Sequence, residues 1–384
     1  MNVLLVSHAS DLSGAARDLL ELARALQGAE HVQTTVVLPK DGPLRAALEA
    51  AGVPVVRVRH GWWLNRRAPF PRRAWSLLAN TVSVVRLRRL IHRLETDIVL
   101  TGTLAIPWAA VAARLADRPH IWYVQELADQ GLTFHFGRDR SMRMIGELSD
   151  IVAACSKAVA VYLEQWISPD KIRVLRYAFD VPGRDQTALP AGDGELRLVL
   201  VGTKLQGKGQ DEALAALARL RAAGVPAHLR LVGPGRRPYV RQLEQAAQGL
   251  GVEAHVDFVD SVPDAGPELE AADIALVCSS SEGFSRVVVE AMRKEVPVVG
   301  ARTTGTEEQL VESGGGLLYE PGNAADLAAA VERLYRDPAL RGACAQRGAA
   351  WTQQFSLERF GTEFLALADE AIERHREVDN GSHR

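Results

Sequence analysis

The sequence predicts two α/β domains, each built on a parallel, doubly wound sheet, and three observations carry that prediction. Short β-branched runs alternate with helical patterns, a Pro/Gly/Asp-rich stretch interrupts the alternation at residues 180–194, and a second series of the same kind follows at once. The 384 residues fit two or three domains of roughly 150 residues each. At 47% hydrophobic and 24% charged residues, each domain has material for a sizeable core.

In chain order, residues 3–7, 32–38, 55–58, 98–100, 121–124, 151–154 and 172–175 read as strands of the first domain. Between the first two, Leu19, Leu22, Ala23 and Leu26 fall on one face of a helix over residues 17–26. Strand followed by helix, repeated, implies parallel pairing through right-handed crossovers. The stretch DVPGRDQTALPAGDG at residues 180–194 then reads as an inter-domain linker. Residues 196–201, 228–232, 255–259, 274–277 and 296–299 form the second strand series, and one long amphipathic helix over 355–372 follows it. Ligands of such sheets bind beyond the carboxyl ends of the strands.

Composition excludes several classes. The opening residues MNVLLVSHAS lack a charged leader and turn polar by Ser7, which reads as a buried strand rather than a signal peptide. No apolar run reaches the length of about 20 residues that a transmembrane helix requires. A cytoplasmic protein is therefore expected. Cys155, Cys278 and Cys344 show no metal-ligand spacing and read as structural thiols. The net charge of -2 gives no global reason to expect nucleic acid.

Two motifs carry chemistry. Residues 196–210, LRLVLVGTKLQGKGQ, run from a strand through a glycine-bearing loop into a helix. Gly202, Gly207 and Lys208 match GxxxxGK, but Gly209 stands where a P-loop requires Ser or Thr for magnesium. Cys278-Ser279 likewise replaces the aspartate that should end the 274–277 strand, so an ATPase or GTPase is excluded. A lysine beside loop amides at a helix N-terminus still makes a diphosphate site, its bland alternative being a solvated loop lysine. Residues 279–300, SSSEGFSRVVVEAMRKEVPVVG, place Glu282 and Glu290 eight positions apart, with Gly283, Phe284 and Ser285 opening a helix. Eight residues is slightly over two turns, so the second carboxylate lies roughly beneath the loop carrying the first. The helix N-terminus between them offers amides and a positive dipole to an anion.

With these motifs in place, the sequence resembles the retaining glycosyltransferases of family 4, of GT-B fold. The resemblance runs from Ser13-Gly14-Ala15 through Val201-Gly202, Lys208-Gly209-Gln210, Leu231-Val232-Gly233 and Ala272-Asp273-Ile274. It continues through Ser281-Glu282-Gly283-Phe284, Glu290-Ala291, Pro297-Val298-Val299, Glu308, Gly316-Leu317-Leu318 and Pro321-Gly322. It implies two Rossmann-like domains facing across a cleft: an acceptor-side domain over 1–180, with 355–384 packing back on it, and a nucleotide-sugar domain over 190–354. It implies a UDP-, GDP- or ADP-sugar donor held by Gly14, Gly202, Thr203, Lys208, Gly283, Phe284, Ser285, Arg286 and Glu290. Glu282 would contact the transferred sugar, Glu290 the ribose, and Lys208 with the amides of Phe284 and Ser285 the phosphates. No Asp-x-Asp occurs, so no metal or other cofactor is expected. The sequence departs from the family pattern at Thr203, where relatives carry arginine, a charge that Lys204 or Arg286 would replace. It departs again at Gln125, in place of histidine, and at Tyr177-Ala178, in place of Asn-Gly.

One segment stands apart. Residues 57–93 hold ten arginines and no acidic residue, interleaved with Trp62, Trp63, Phe70 and Trp75. Leu77, Leu78, Val82, Val85 and Leu90 are expected on the apolar face of a helix, with Arg86, Arg89 and Arg93 on another side. Such a stretch suits an anionic membrane surface on the cytoplasmic side or a phosphate-bearing acceptor; its bland alternative is a half-buried helix. Three functions stay open on the sequence: sugar transfer onto a glycan, lipid-linked or small-molecule acceptor, nucleotide-sugar binding without turnover, and epimerisation of a nucleotide sugar.

Overall fold

The computed structural model describes residues 1–12, 14–64, 70–128, 134–184 and 194–382, the side chains of 70–79 and 378–382 excepted. The chain divides into two compact units, one of Met1–Asp180 with Phe355–Arg384, the other of Val181–Gln354.

The first unit holds seven strands, β1 (Asn2–Val6), β2 (Gln33–Leu38), β3 (Val55–Arg57), β4 (Ile98–Thr101), β5 (His120–Val124), β6 (Ile151–Ala154) and β7 (Ile172–Val174). They form one parallel sheet in the order β3-β2-β1-β4-β5-β6-β7. Apolar runs are needed because both faces are covered: Val3, Leu4, Leu5 and Val6 are all at most 2% exposed. The final helix, Leu357–Ser382, runs well past the expected end at residue 372. It docks within this unit by burying Phe360, Phe364, Ala368 and Ala371 completely, a helical stripe. Gly361 permits the close approach, since a Cβ there would lie 3.3 Å from Ala25. Arg173 to Glu370, at 2.5 Å, ties β7 to the same helix.

The second unit holds β8 (Leu196–Val201), β9 (Ala227–Val232), β10 (Val256–Val259), β11 (Ile274–Val277), β12 (Val298–Ala301) and β13 (Gly316–Tyr319), parallel in the order β10-β9-β8-β11-β12-β13. Two elements differ from the sequence reading. β12 starts two residues later than expected, because the Val296 amide closes the preceding helix on the Ala291 carbonyl. β13 was absent from the strand series; three glycines, Gly314 to Gly316, precede Leu317 and weaken the β pattern. Gly316 is required there, since a Cβ would lie 1.8 Å from the Val298 carbonyl oxygen. Of the 180–194 linker, residues 185–193 lie outside the described residues, while Val181 and Gly183 accept hydrogen bonds from Arg293 and Lys294 at 3.0 Å.

The expected apolar face of the arginine-rich helix, Phe70–Arg93, is displaced. Val82 and Val85 are exposed; Leu90 is buried as expected, but its buried neighbours are Val84, Leu87 and Ile91. Arg66 and Arg67 lie outside the described residues, as do the side chains of Phe70, Arg72, Arg73, Trp75, Leu77 and Leu78. The three cysteines are free and buried, as expected of structural thiols. Burial pushes the Cys278 thiol up to about 12 and the Cys155 thiol further above its ordinary range.

Candidate functional site

In the second unit the strand order reverses between β8 and β11, and the chain leaves both strands at the same edge. That is where an open α/β sheet leaves a crevice for a ligand. The β8 loop is shaped by glycine. Gly209 has φ 71° and caps the helix Gln210–Ala222; a Cβ on it would lie 2.3 Å from the Cys278 carbonyl oxygen. The helix N-terminus is therefore seated against the end of β11. Ser280 completes the join, donating to the Gly207 carbonyl from its amide at 2.9 Å and its hydroxyl at 3.2 Å.

Across this join Lys208 Nζ lies 2.6 Å from Glu282 Oε1. The lysine side chain is 35% exposed and the glutamate 19%, so both present to solvent at the crevice. Glu282 is fixed through its backbone: its carbonyl accepts from the Thr304 hydroxyl at 2.6 Å and the Gly305 amide at 3.0 Å. Those donors open the helix Thr304–Ser313 beyond β12, and a Cβ on Gly305 would lie 2.2 Å from the Gly283 carbonyl oxygen. Three successive strand ends thus share one loop cluster, with three helix N-termini around it.

The helix Arg286–Arg293 follows. Arg286 and Glu290 form an i,i+4 pair at 3.5 Å with side chains only 13% and 12% exposed. Phe284 is buried and packs on Trp351. Ser285 departs from the sequence expectation. Its amide donates to Gln309 Oε1 at 2.9 Å and its carbonyl accepts from Gln309 Nε2 at 2.9 Å, so this amide is committed inside the protein. Gln309 is fully buried and was missed in the sequence, where only its neighbour Glu308 belonged to a motif.

Lys204 does not replace the arginine absent at Thr203. Its side chain is buried, with Nζ bound to the Gly233 carbonyl and, at 2.5 Å, to the Val259 carbonyl. Burial lowers its pKa. Thr203 itself is exposed, and Gly202 opens the loop with its amide on the Val232 carbonyl at 2.8 Å. The structure therefore groups Gly202, Thr203, Lys208, Glu282, Gly283, Phe284, Ser285, Arg286 and Glu290 in one unit. Gly14 belongs to the other, opening the helix Gly14–Gln27 after β1.

The first unit has its own reversal, between β1 and β4. Beyond these strands His60 Nδ1 lies 2.8 Å from the Val58 carbonyl oxygen and Nε2 2.9 Å from that of Ser7, one of the two nitrogens donating, and Trp62 donates to the His8 carbonyl at 3.1 Å. Burial lowers His60 and takes His8 down to about 4, so both imidazoles are neutral near pH 7. At the end of β5, Gln125 is 7% exposed and neither of its side-chain polar atoms has a hydrogen-bond partner. Beside it, Glu126 accepts from the Thr103 hydroxyl at 3.1 Å and the Leu104 amide at 3.4 Å, and burial raises its pKa. No signal in the sequence united His8 and His60, which follow two separate strands.

Two family matches correspond to the two units: Glycosyl transferases group 1 over residues 184–351 and Glycosyl transferase 4-like domain over residues 13–178. The chain belongs to the family 4-type glycosyltransferases of GT-B fold. A D-inositol 3-phosphate glycosyltransferase of Arthrobacter sp. is 30% identical over 212 residues, 53% of this chain and 50% of that protein. A GDP-mannose-dependent alpha-(1-6)-phosphatidylinositol monomannoside mannosyltransferase of Mycolicibacterium smegmatis is 29% identical over 69% of this chain and 74% of that protein. The matched region spans about half the length of the first of these relatives. Among solved structures, HepE of Anabaena in complex with UDP superposes with a TM-score of 0.79 at 22% identity, covering 96% of this chain and 100% of that one.

Proposed function

We propose that this glycosyltransferase-family chain transfers a sugar from a nucleoside-diphosphate donor to a hydroxyl of a glycan, lipid-linked or small-molecule acceptor, with retention at the anomeric carbon. The observation that carries the reading is the Lys208–Glu282 pair at the β8/β11 crevice. Lys208 would neutralise the leaving diphosphate, whose charge grows as the glycosidic bond breaks, and Arg286 adds a second cation at a helix N-terminus. Of the loop amides, that of Ser285 is engaged by Gln309 and is not offered to the phosphates. Glu282 would accept hydrogen bonds from the sugar and Glu290 from the ribose. Protein cations then do the work that an Asp-x-Asp-bound metal would do, in keeping with the absence of that motif.

A nucleoside-diphosphate donor is supported from two sides, since one relative is named GDP-mannose-dependent and HepE is in complex with UDP. The arginine-rich segment supports an anionic acceptor or an anionic membrane surface on the cytoplasmic side. Arg57, Arg86, Arg89 and Arg93 line one cavity of about 250 Å³ in the first unit. No helix among the described residues is long and apolar enough to cross a membrane, so any attachment through this segment would be peripheral. Trp63 takes no part, being fully buried against Trp122 with ring centroids 5.9 Å apart.

The test is nucleotide release from UDP-glucose and GDP-mannose, with and without acceptor, and proton NMR of the product. Slow donor hydrolysis without acceptor and an unchanged anomeric configuration in the product are expected. Tight donor binding with no release under any condition would favour binding without turnover.

A further inference from the structure

We propose that Glu195, His228 and His255 form a zinc site at the amino-terminal edge of the second unit's sheet. One ligand atom from each lies within 4.8 Å of the others, and among the described residues no other such group of three converges. The ligands come from three neighbouring strands. Glu195 directly precedes β8, His228 is the second residue of β9, and His255 ends the short turn Glu253–His255 ahead of β10. Because the strands are parallel and adjacent, with Arg197 opposite His228 and Leu229 opposite Val256, their starting residues line up along one edge. Lys208 and Glu282 follow the other ends of strands in this sheet, about 20 Å away for a six-residue strand. The proposal is thus independent of the transferase reading.

The local geometry favours an ion over a simple charge pair. His228 Nε2 lies 3.2 Å from Asp257 Oδ2, while Nδ1 faces Glu195 Oε2 at 3.9 Å. The latter is too long for a hydrogen bond. It is close to the edge of a tetrahedron around zinc, about 3.4 Å for bonds of about 2.0–2.1 Å. Asp257 then plays the part of the outer carboxylate that orients a ligating imidazole and fixes which nitrogen is left for the metal. On the other ligand, Arg221 Nη1 reaches Glu195 Oε1 at 3.5 Å, leaving Oε2 turned toward the histidine. All three ligand residues are half-buried, sheltered yet reachable. Two imidazoles and one carboxylate are a zinc donor set, with water as the fourth ligand. The ion would clamp the residue that enters β8 onto β9 and the turn before β10, closing the edge at which the second unit's sheet begins.

Calorimetric titration of the metal-stripped full chain with zinc chloride tests this. One zinc per chain is expected, with a rise in melting temperature that EDTA reverses. His228→Ala and His255→Ala should each abolish that binding event, and Asp257→Asn should weaken it about 10- to 100-fold. Each histidine variant should melt with the wild type in EDTA, showing that it folds; if either does not, Glu195→Gln replaces it with the same expected loss. Undiminished one-to-one binding by the His228→Ala/His255→Ala double variant would overturn the site. So would an absence of saturable zinc binding by the wild type, which would leave these groups as an ion-pair network.

Discussion

Lys208 and Glu282 are 74 positions apart in sequence and 2.6 Å apart at Nζ and Oε1, joining the loops that follow β8 and β11. The pair means that the lysine already has a counter-ion before any substrate arrives. A diphosphate entering the crevice must exchange that carboxylate for its own oxygens. In the proposed reaction the lysine charge would be drawn upon most when the leaving group carries most charge, as the bond breaks.

Lys208→Ala should accordingly lower kcat more than it raises the donor KM. Its interaction strengthens toward the transition state, and such interactions appear in kcat. Steady-state kinetics with varied donor measure the split; a change confined to KM would make Lys208 an anchor only.

Glu290→Ala should weaken the donor and the free nucleoside diphosphate equally, because its proposed partner, the ribose, is common to both. Losing a hydrogen bond to a charged group costs roughly 1.5–3 kcal/mol. Calorimetry with the free nucleotide gives the answer, and an unaltered affinity would remove Glu290 from the ribose.

Gln309→Leu should destabilise the chain by about 1–3 kcal/mol, since it leaves the buried amide and carbonyl of Ser285 without their partners. Urea unfolding measures the loss. Unchanged stability would show that the loop finds other partners.

Stability should fall as pH drops below 6.5. His120, fully buried between the Thr101 and Ser149 hydroxyls, is lowered to about 3, and His8 to about 4, chiefly by burial. Each binds its proton more readily unfolded than folded. Their contribution is thus complete above pH 6.5 and is lost as pH falls toward the folded values. A single such group contributes up to about 1.4 kcal/mol per pH unit. His120→Gln, which keeps the hydrogen bonds without titrating, should flatten the pH 6–4 stability profile by that amount; an identical slope would rule His120 out.

The chain should co-float with anionic vesicles at low salt and detach as salt rises, because exposed charges are screened over about 10 Å at 0.1 M. Arg86→Gln, Arg89→Gln and Arg93→Gln together should abolish flotation without altering nucleotide affinity, since these exposed arginines belong to the first unit. Failure of the wild type to co-float would leave the arginine-lined cavity to a soluble anionic acceptor.

The strands other than β13, the division into two sheets and the loops bearing Lys208 and Glu282 were legible in the sequence. Local periodicity and glycine placement are properties of neighbouring residues, and they specify elements one at a time. Partnerships are not local. That Ser285 gives its amide to Gln309, that Lys204 turns into backbone carbonyls, and that Trp63 is buried while Trp62 is half exposed depend on which loops the sheet order brings together. β13 escaped for a related reason: Gly316 is a poor strand former on its own, and only the Val298 carbonyl beside it excludes any larger residue. The same holds for Glu195, His228 and His255, scattered over three strand starts and adjacent only because parallel pairing aligns those starts along one edge. Sequence pattern chose the elements, and the order of strands in each sheet decided which side chains meet.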